Sequence, residues 1–301
     1  MKIPIKRILI SLKNAYKAWN SKDPFRESAA IAYYAIFSLP GLLVVIITLA
    51  GYFFGREAVN NHIIGQISNI MGSDTAEQIR NMILNASQSK NTPWATLIGI
   101  VTIVLGASGV FVQFQKSLNI IWDVKAEPAK SGLWSYLKAR LFSFGLMLAL
   151  AFILTVSLVV SATLAALGTW MSKKFSESYV ILLQLANSVF SFFILTLLFA
   201  LMFKFFPDAK IKWRHVWIGS VATALLFELG KFSLGLYFGK ADPGSGYGTA
   251  GSIVLILLWV SYSSMIVFYG AEFTRAYAEL RDGKIAPDQN AVKKIRAKSQ
   301  G

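Results

Sequence analysis

The sequence predicts an all-α integral membrane protein with six transmembrane helices, a cytoplasmic N-terminal interfacial helix and an outer amphipathic helical segment. Three observations carry that prediction. Hydrophobic residues make up 55% of the 301 and charged residues only 15%, with a mean hydropathy of +0.53; soluble domains carry about 25% charged residues. Apolar runs occupy residues 29–54, 94–114, 141–167, 179–206, 216–238 and 252–270. At about 1.5 Å of rise per residue each can cross the roughly 30 Å of bilayer hydrocarbon. An even number of spans puts both termini on one side, and 23 of the 30 Lys and Arg residues then fall on that side. The excess of basic residues assigns that side to the cytoplasm.

Residues 1–28 place Ile5, Leu9, Leu12, Tyr16 and Trp19 at alternating spacings of four and three, with Lys6, Arg7, Lys13 and Lys17 between them. This is the pattern of a helix lying in the interface, with lysines towards anionic lipid. The first apolar run begins near Ala29 and is too long for a signal-peptide core, so a cleavable leader is not expected. The first span carries Pro40–Gly41 near its middle, where proline removes a backbone hydrogen bond.

The outer connection 55–93 reads as two amphipathic helices. Ile63, Ile64, Ile67, Ile70 and Met71 make one stripe; Ala76, Ile79, Met82, Ile83 and Ala86 make the other. They suit the bilayer surface or neighbouring helix ends, and a lid over an external opening is the alternative. The second span has Gly106, Ser108 and Gly109 near its middle. Beyond it Gln115 to Trp122 continue in helical phase until Pro128 and Gly132, which suggests a cytoplasmic elbow. The fifth and sixth runs form a hairpin joined by GKADPGSGYGTAG, and Arg281–Gly301 reads as a basic, exposed and partly disordered cytoplasmic tail.

Candidate site residues are the polar groups that lipid would reject. Glu228 and Lys231 lie inside the fifth run, three apart on one helical face, where an ionisable group costs about 2.5–3.5 kcal/mol by insertion scales. An ion pair between them is one reading; outward snorkelling of Lys231 is the other. Ser261, Tyr262, Ser263 and Ser264 occupy the centre of the sixth run. Together with Tyr34, Ser38, Pro40, Gly106, Ser108, Tyr247, Trp259 and Glu272 they outline a substrate or ion path. Glu272 and Arg275, three apart near the cytoplasmic end, read as an ordinary interfacial pair. Gly51-x-x-x-Gly55 and Gly235-x-x-x-Gly239 read as close helix packing.

Several functions are disfavoured. The charge of +15 lies between the apolar runs and not on a soluble face, so no nucleic-acid partner is expected. The absence of cysteine removes disulfides and thiolate metal sites. Gly246-x-Gly248-x-x-Gly251 matches the dinucleotide fingerprint but lacks the strand that motif requires. What remains is a glycine-rich outer turn that opens a helix, with Tyr247 beside it. The two histidines, His62 and His215, fall on opposite sides of the membrane, and no serine has a histidine base nearby. No enzyme, catalytic residue, metal or cofactor is therefore expected.

The sequence also resembles the YihY/BrkB family of bacterial inner-membrane proteins over residues 10–280. The resemblance rests on Ala32-Tyr33-Tyr34-Ala35 with Ser38 and Pro40; Leu118-Asn119 with Ile121-Trp122; Gly219 with Glu228-Leu229-Gly230-Lys231; Tyr247-Gly248; Trp259; and Gly270-Ala271-Glu272. It implies a six-helix protein of the inner membrane for which solute or lipid transport has been suggested. A ribonuclease label carried by some members finds no support in these residues. The expected function is a transporter or lipid translocase, proton- or ion-coupled through Glu228. The basic N-terminal helix leans the choice towards lipid. The expected partners are membrane lipids and a small solute or lipid substrate, and a homo-oligomer is compatible. The rival is a scaffold that binds envelope partners through its outer segment and cytoplasmic ends.

Overall fold

A computed structural model describes residues 5–87, 109–126, 177–241, 243–288 and 291–293. The helices are α1 (Ile5–Asn20), α2 (Pro24–Phe54), α3 (Arg56–Met71), α4 (Ser73–Ser87), α5 (residues 109–121), α6 (Glu177–Phe205), α7 (Trp213–Ala241) and α8 (Gly251–Asp282). A 3-10 segment, Ser245–Ala250, leads into α8. Strands β1 (Val124–Ala126) and β2 (Ala291–Lys293) form a two-stranded antiparallel ribbon with Lys125 opposite Val292. The expected span 141–167 and most of 94–114 lie outside the described residues.

Three helical stretches among the described residues are long and apolar enough to cross a membrane: Leu183–Phe205, Trp213–Ala241 and Gly251–Asp282. Their surfaces fit lipid. On α7, Leu225, Leu229, Phe232 and Leu236 recur every three or four residues and are all exposed, Phe232 by 67%. The opposite side, with Val216, Thr223, Ala224, Gly230 and Leu234, is buried. An apolar stripe of that kind is unstable in water and neutral in hydrocarbon.

Helix α8 is central, packed by α1, α2, α4 and α7. It runs 12 residues past the predicted end at Gly270, because Ala271, Phe273, Thr274, Tyr277 and Ala278 continue its buried stripe. The closest approach to α7 uses two reciprocal pairs, Gly219 against Thr274 and Gly270 against Thr223. A methyl group on either glycine would overlap the threonine side chain. Each threonine donates its hydroxyl proton to the carbonyl four residues back, at 2.7 Å, and so carries no unsatisfied polar group into the contact.

The predicted N-terminal helix is broken in two. Asp23 adopts φ 51 and Pro24 opens α2. Proline disfavours the helical conformation in the residue before it, so the chain turns there. Helix α1 buries Ser11 and Ala15 against α8 and leaves Leu9, Ile10 and Tyr16 exposed. The Trp19 indole donates to the Met265 carbonyl at 3.2 Å, and the Tyr269 hydroxyl donates to the Leu12 carbonyl at 3.3 Å.

Two of the three apolar clusters among the described residues are large. One joins Phe114, Leu118 and Trp122 of the α5 region with Phe199 and Phe203 of α6, Val216 of α7 and Phe268 of α8, near the face that carries the ribbon. The other, near the opposite face, seats Val59 of α3 and Ile79 and Ile83 of α4 on Leu43 and Ile47 of α2 and Ile256 of α8. The α3–α4 hairpin thus rests on helix ends through both predicted stripes. The described chain after α8 has exposed residues such as Gly283, Lys284 and Val292 but is tied to the bundle: Ala209 bridges Pro287, Lys210 donates its N–H to the Ala286 carbonyl at 3.0 Å, and β2 pairs with β1.

Candidate functional site

Polar groups gather at three levels. At the ribbon face the turn between α1 and α2 delivers Lys22 to Glu272 of α8, with Nζ 2.6 Å from Oε1. Glu272 is 1% exposed. Lys22 also donates to the Ile121 carbonyl at 2.7 Å and lies 3.7 Å from Asp123. Arg275, one turn along α8, reaches Asp123 at 2.5 Å, the Ile121 carbonyl at 2.6 Å and Glu279 at 3.0 Å. Asp123 sits at φ 50, a left-handed turn that ends α5 and presents its carboxylate to these two cations. Beside this lattice Ser117 donates to Glu27 at 2.7 Å. A void of about 10 Å³, room for about one water, lies among Trp19, Glu27, Ser117 and Glu272. Burial pushes the Lys22 ammonium below its ordinary pKa of 10.5, against the pull of Glu272. Three stretches far apart in the chain, residues 22–27, 117–123 and 272–279, are held by these buried charges.

A second polar join on the same face locks the connection between α6 and α7. The Asn119 amide donates to Asp208 Oδ2 at 2.8 Å, the Asp208 backbone N–H donates to Asn119 Oδ1 at 2.8 Å, and Gln115 adds a contact at 3.3 Å. Burial raises the Asp208 carboxyl above its ordinary value of 3.8. His215, at the start of α7, is buried with Nε2 3.0 Å from Asp282. Its role is to tie α7 to the end of α8.

In the middle of α7 Glu228 and Lys231 form an ion pair with Oε2 and Nζ 2.6 Å apart, and their side chains are 43% and 40% exposed. The pair is therefore neither enclosed by the helical core nor separated by snorkelling. Glu228 lies on one flank of α7 with Gly235 and Gly239, seven and eleven residues on, which return to nearly the same angle at 3.6 residues per turn. Ser261 shares a 3.1 Å hydrogen bond with Ser28 of α2, Ser264 is buried, and the Tyr262 ring lies against Gly230. Trp259 meets Phe227 edge to face, with centroids 6.4 Å apart.

At the hairpin face Gly235 and Gly239 open into a cavity of about 550 Å³. Its walls are the α3–α4 turn with Asp74, Thr75 and Gln78, the 3-10 segment, and the start of α8 at Ser252. Ser252 and Gln78 are in hydrogen-bond contact, which joins hairpin to bundle. The glycines here divide by purpose. Gly248 adopts φ +53, and a Cβ on Gly251 would strike the Gly244 backbone. By contrast, no described residue lies within 4 Å of a Cβ on Gly235 or Gly239. Among the described residues, the Gly235-x-x-x-Gly239 spacing faces this cavity and packs no neighbouring helix.

The remaining candidates are scattered. Tyr34 lies against Gly109, which joins α2 to α5; Ser38 is buried and donates to the Ala35 carbonyl at 3.2 Å. Pro40 lies within the unbroken helix α2, Tyr247 is exposed beside the cavity, and Gly106 and Ser108 lie outside the described residues. Glu272 and Arg275, read as partners, instead pair with Lys22 and Asp123. Lys22, Asp123 and Asp208 had no local signal, since each finds its partner at least 89 residues away.

A family model described as virulence factor BrkB matches residues 15–295. The chain belongs to the BrkB family. Among similar proteins, a UPF0761 membrane protein of Saccharophagus degradans is 27% identical over 88% of this chain and 59% of its own length. Another, from Teredinibacter turnerae, is 26% identical over 89% and 60% respectively. The UPF0761 membrane protein PA0951 of Pseudomonas aeruginosa is 27% identical over 85% and 60%. The chain therefore spans about three fifths of the length of these BrkB-family relatives. No solved structure matches it. The matched range takes in all three polar levels, from Lys22 through Glu228 to the β2 strand.

Proposed function

We propose that this BrkB-family membrane protein is a transporter or lipid translocase of the bacterial cytoplasmic membrane that works without an enzymatic step of its own. The distribution of Lys and Arg supports a hairpin face outside and a ribbon face in the cytoplasm. The observation that carries the reading is the polar cavity at the hairpin face, which opens on the flank of α7 that also bears Glu228 and Lys231. Gly235 lies about 10 Å from Glu228 along that flank. The path continues between α2, α5, α7 and α8, and the Lys22–Glu272 and Arg275–Asp123 pairs close its cytoplasmic end. Glu228 is the ion- or proton-responsive group: a carboxylate that exchanges Lys231 for a proton or a passing ligand changes charge within the membrane.

Because the chain has no cysteine, single substitutions report access directly. Gly235→Cys, Gly239→Cys and Glu228→Cys are expected to react with a membrane-impermeant maleimide added outside, whereas Phe232→Cys on the lipid stripe stays unlabelled. In proteoliposomes the protein should accelerate loss of a fluorescent phospholipid to dithionite quenching, or efflux of an entrapped small polar solute, and Glu228→Gln should return the rate to that of empty vesicles. Labelling of Gly235→Cys no faster than Phe232→Cys, with flux unaltered in Glu228→Gln, would refute the pathway.

A further inference from the structure

Building on the pathway proposed above, we infer that the cavity at the hairpin face binds a protonated amine, with the Asp74 carboxylate as its counter-charge. Among the described residues that line it, Asp74 has the only ionic side chain. The other polar groups are the hydroxyls of Ser68, Ser73, Thr75, Ser245 and Ser252 and the amide of Gln78, all able to accept an N–H. Ser73 donates to Asp74 Oδ1 at 3.2 Å, and among the described residues no basic side chain pairs with that carboxylate. An anionic ligand would meet this carboxylate with no described lining cation to offset it, so the electrostatics select against phosphate and carboxylate groups.

The space itself is maintained at a cost. Glycine inside a helix is less stable than alanine by about 0.5–1 kcal/mol. Gly235 and Gly239 have helical backbones, and among the described residues a methyl group on either would find no neighbour within 4 Å, so neither their conformation nor their described packing requires glycine. Their missing side chains leave room for a ligand. Thr75 and Ser252, both at most 5% exposed, stiffen the wall behind it. An ammonium group could arrive on a soluble amine or on an aminophospholipid headgroup, and the chemistry of recognition is the same.

The test uses the full chain carrying Gly239→Cys, in nanodiscs, and follows the rate of labelling by an impermeant maleimide. In phosphatidylglycerol nanodiscs, added ethanolamine is expected to slow labelling by about tenfold at ten times its dissociation constant. A free-amine source predicts that protection; a lipid source predicts slow labelling in phosphatidylethanolamine nanodiscs without any added amine. Either protection should vanish when Asp74→Asn is combined with Gly239→Cys, each rate being compared with that variant's own rate in phosphatidylglycerol nanodiscs without amine. Protection by inorganic phosphate, protection that survives Asp74→Asn, or rapid labelling indifferent to both amines overturns the assignment and leaves the water path standing. Absence of labelling under every condition overturns the path as well.

Discussion

Loss of either member of the buried pair Lys22–Glu272 should be far more damaging than loss of both. Two unit charges 2.6 Å apart attract by about 6 kcal/mol at an effective dielectric of 20. Removing each ion from water costs several kcal/mol, so the intact pair contributes little net stability. Glu272→Gln leaves a lysine 11% exposed with only Asp123, 3.7 Å away, and one carbonyl for company. Lys22→Met strands a carboxylate that is 1% exposed. Each single substitution is expected to destabilise by about 3–5 kcal/mol. The double variant Lys22→Met/Glu272→Leu should recover most of that loss, because no uncompensated charge stays buried. Reversible unfolding of the purified protein in mixed micelles, run as a double-mutant cycle, measures the difference. Additive losses, or single losses below about 1 kcal/mol as in an exposed pair, would refute the description of this face as a desolvated lattice.

Two further outcomes follow from packing and from titration. Gly219→Ala should destabilise the α7–α8 contact by about 1–3 kcal/mol through overpacking, and Thr274→Ala in the same chain should restore it, as thermal unfolding of the two variants would report. Asp208 binds a proton more readily when folded than when unfolded, so the folded state holds the extra proton in a window that begins at 3.8 and extends upward to its raised value. Stability should therefore fall as pH rises through that window and gain on acidification back into it. Asp208→Asn should flatten this dependence; hydrogen exchange of residues 283–293 across pH 4–7 is the measurement.

The sequence made the apolar helices legible because the physics that sets their length is local: 216–238 and 252–270 had to be long enough for hydrocarbon, and both lie within observed helices. The i, i+3 relation of Glu228 and Lys231 was readable for the same reason. Partners across the fold were not. Glu272 and Arg275 look like a pair on any helical projection, yet their true counter-ions come from the α1–α2 turn and the end of α5. Glycine was ambiguous in the same way. Gly235 and Gly239 have the spacing of a packing motif and, among the described residues, face open space, whereas Gly219 and Gly270, which have no such spacing, hold the tight contact. Only the threonines opposite them, on another helix, tell the two uses apart.

The β1–β2 ribbon has a consequence for biogenesis. Val124 lies opposite Lys293 in the ribbon, so this join waits until residue 293 has left the ribosome. Helices inserted earlier can settle pairwise, but the elbow after α5 stays unclasped until its last strand arrives. Closure of the ribbon thus follows the synthesis of every described helix, and a truncation that removes β2 would leave the bundle inserted but unsealed at that face.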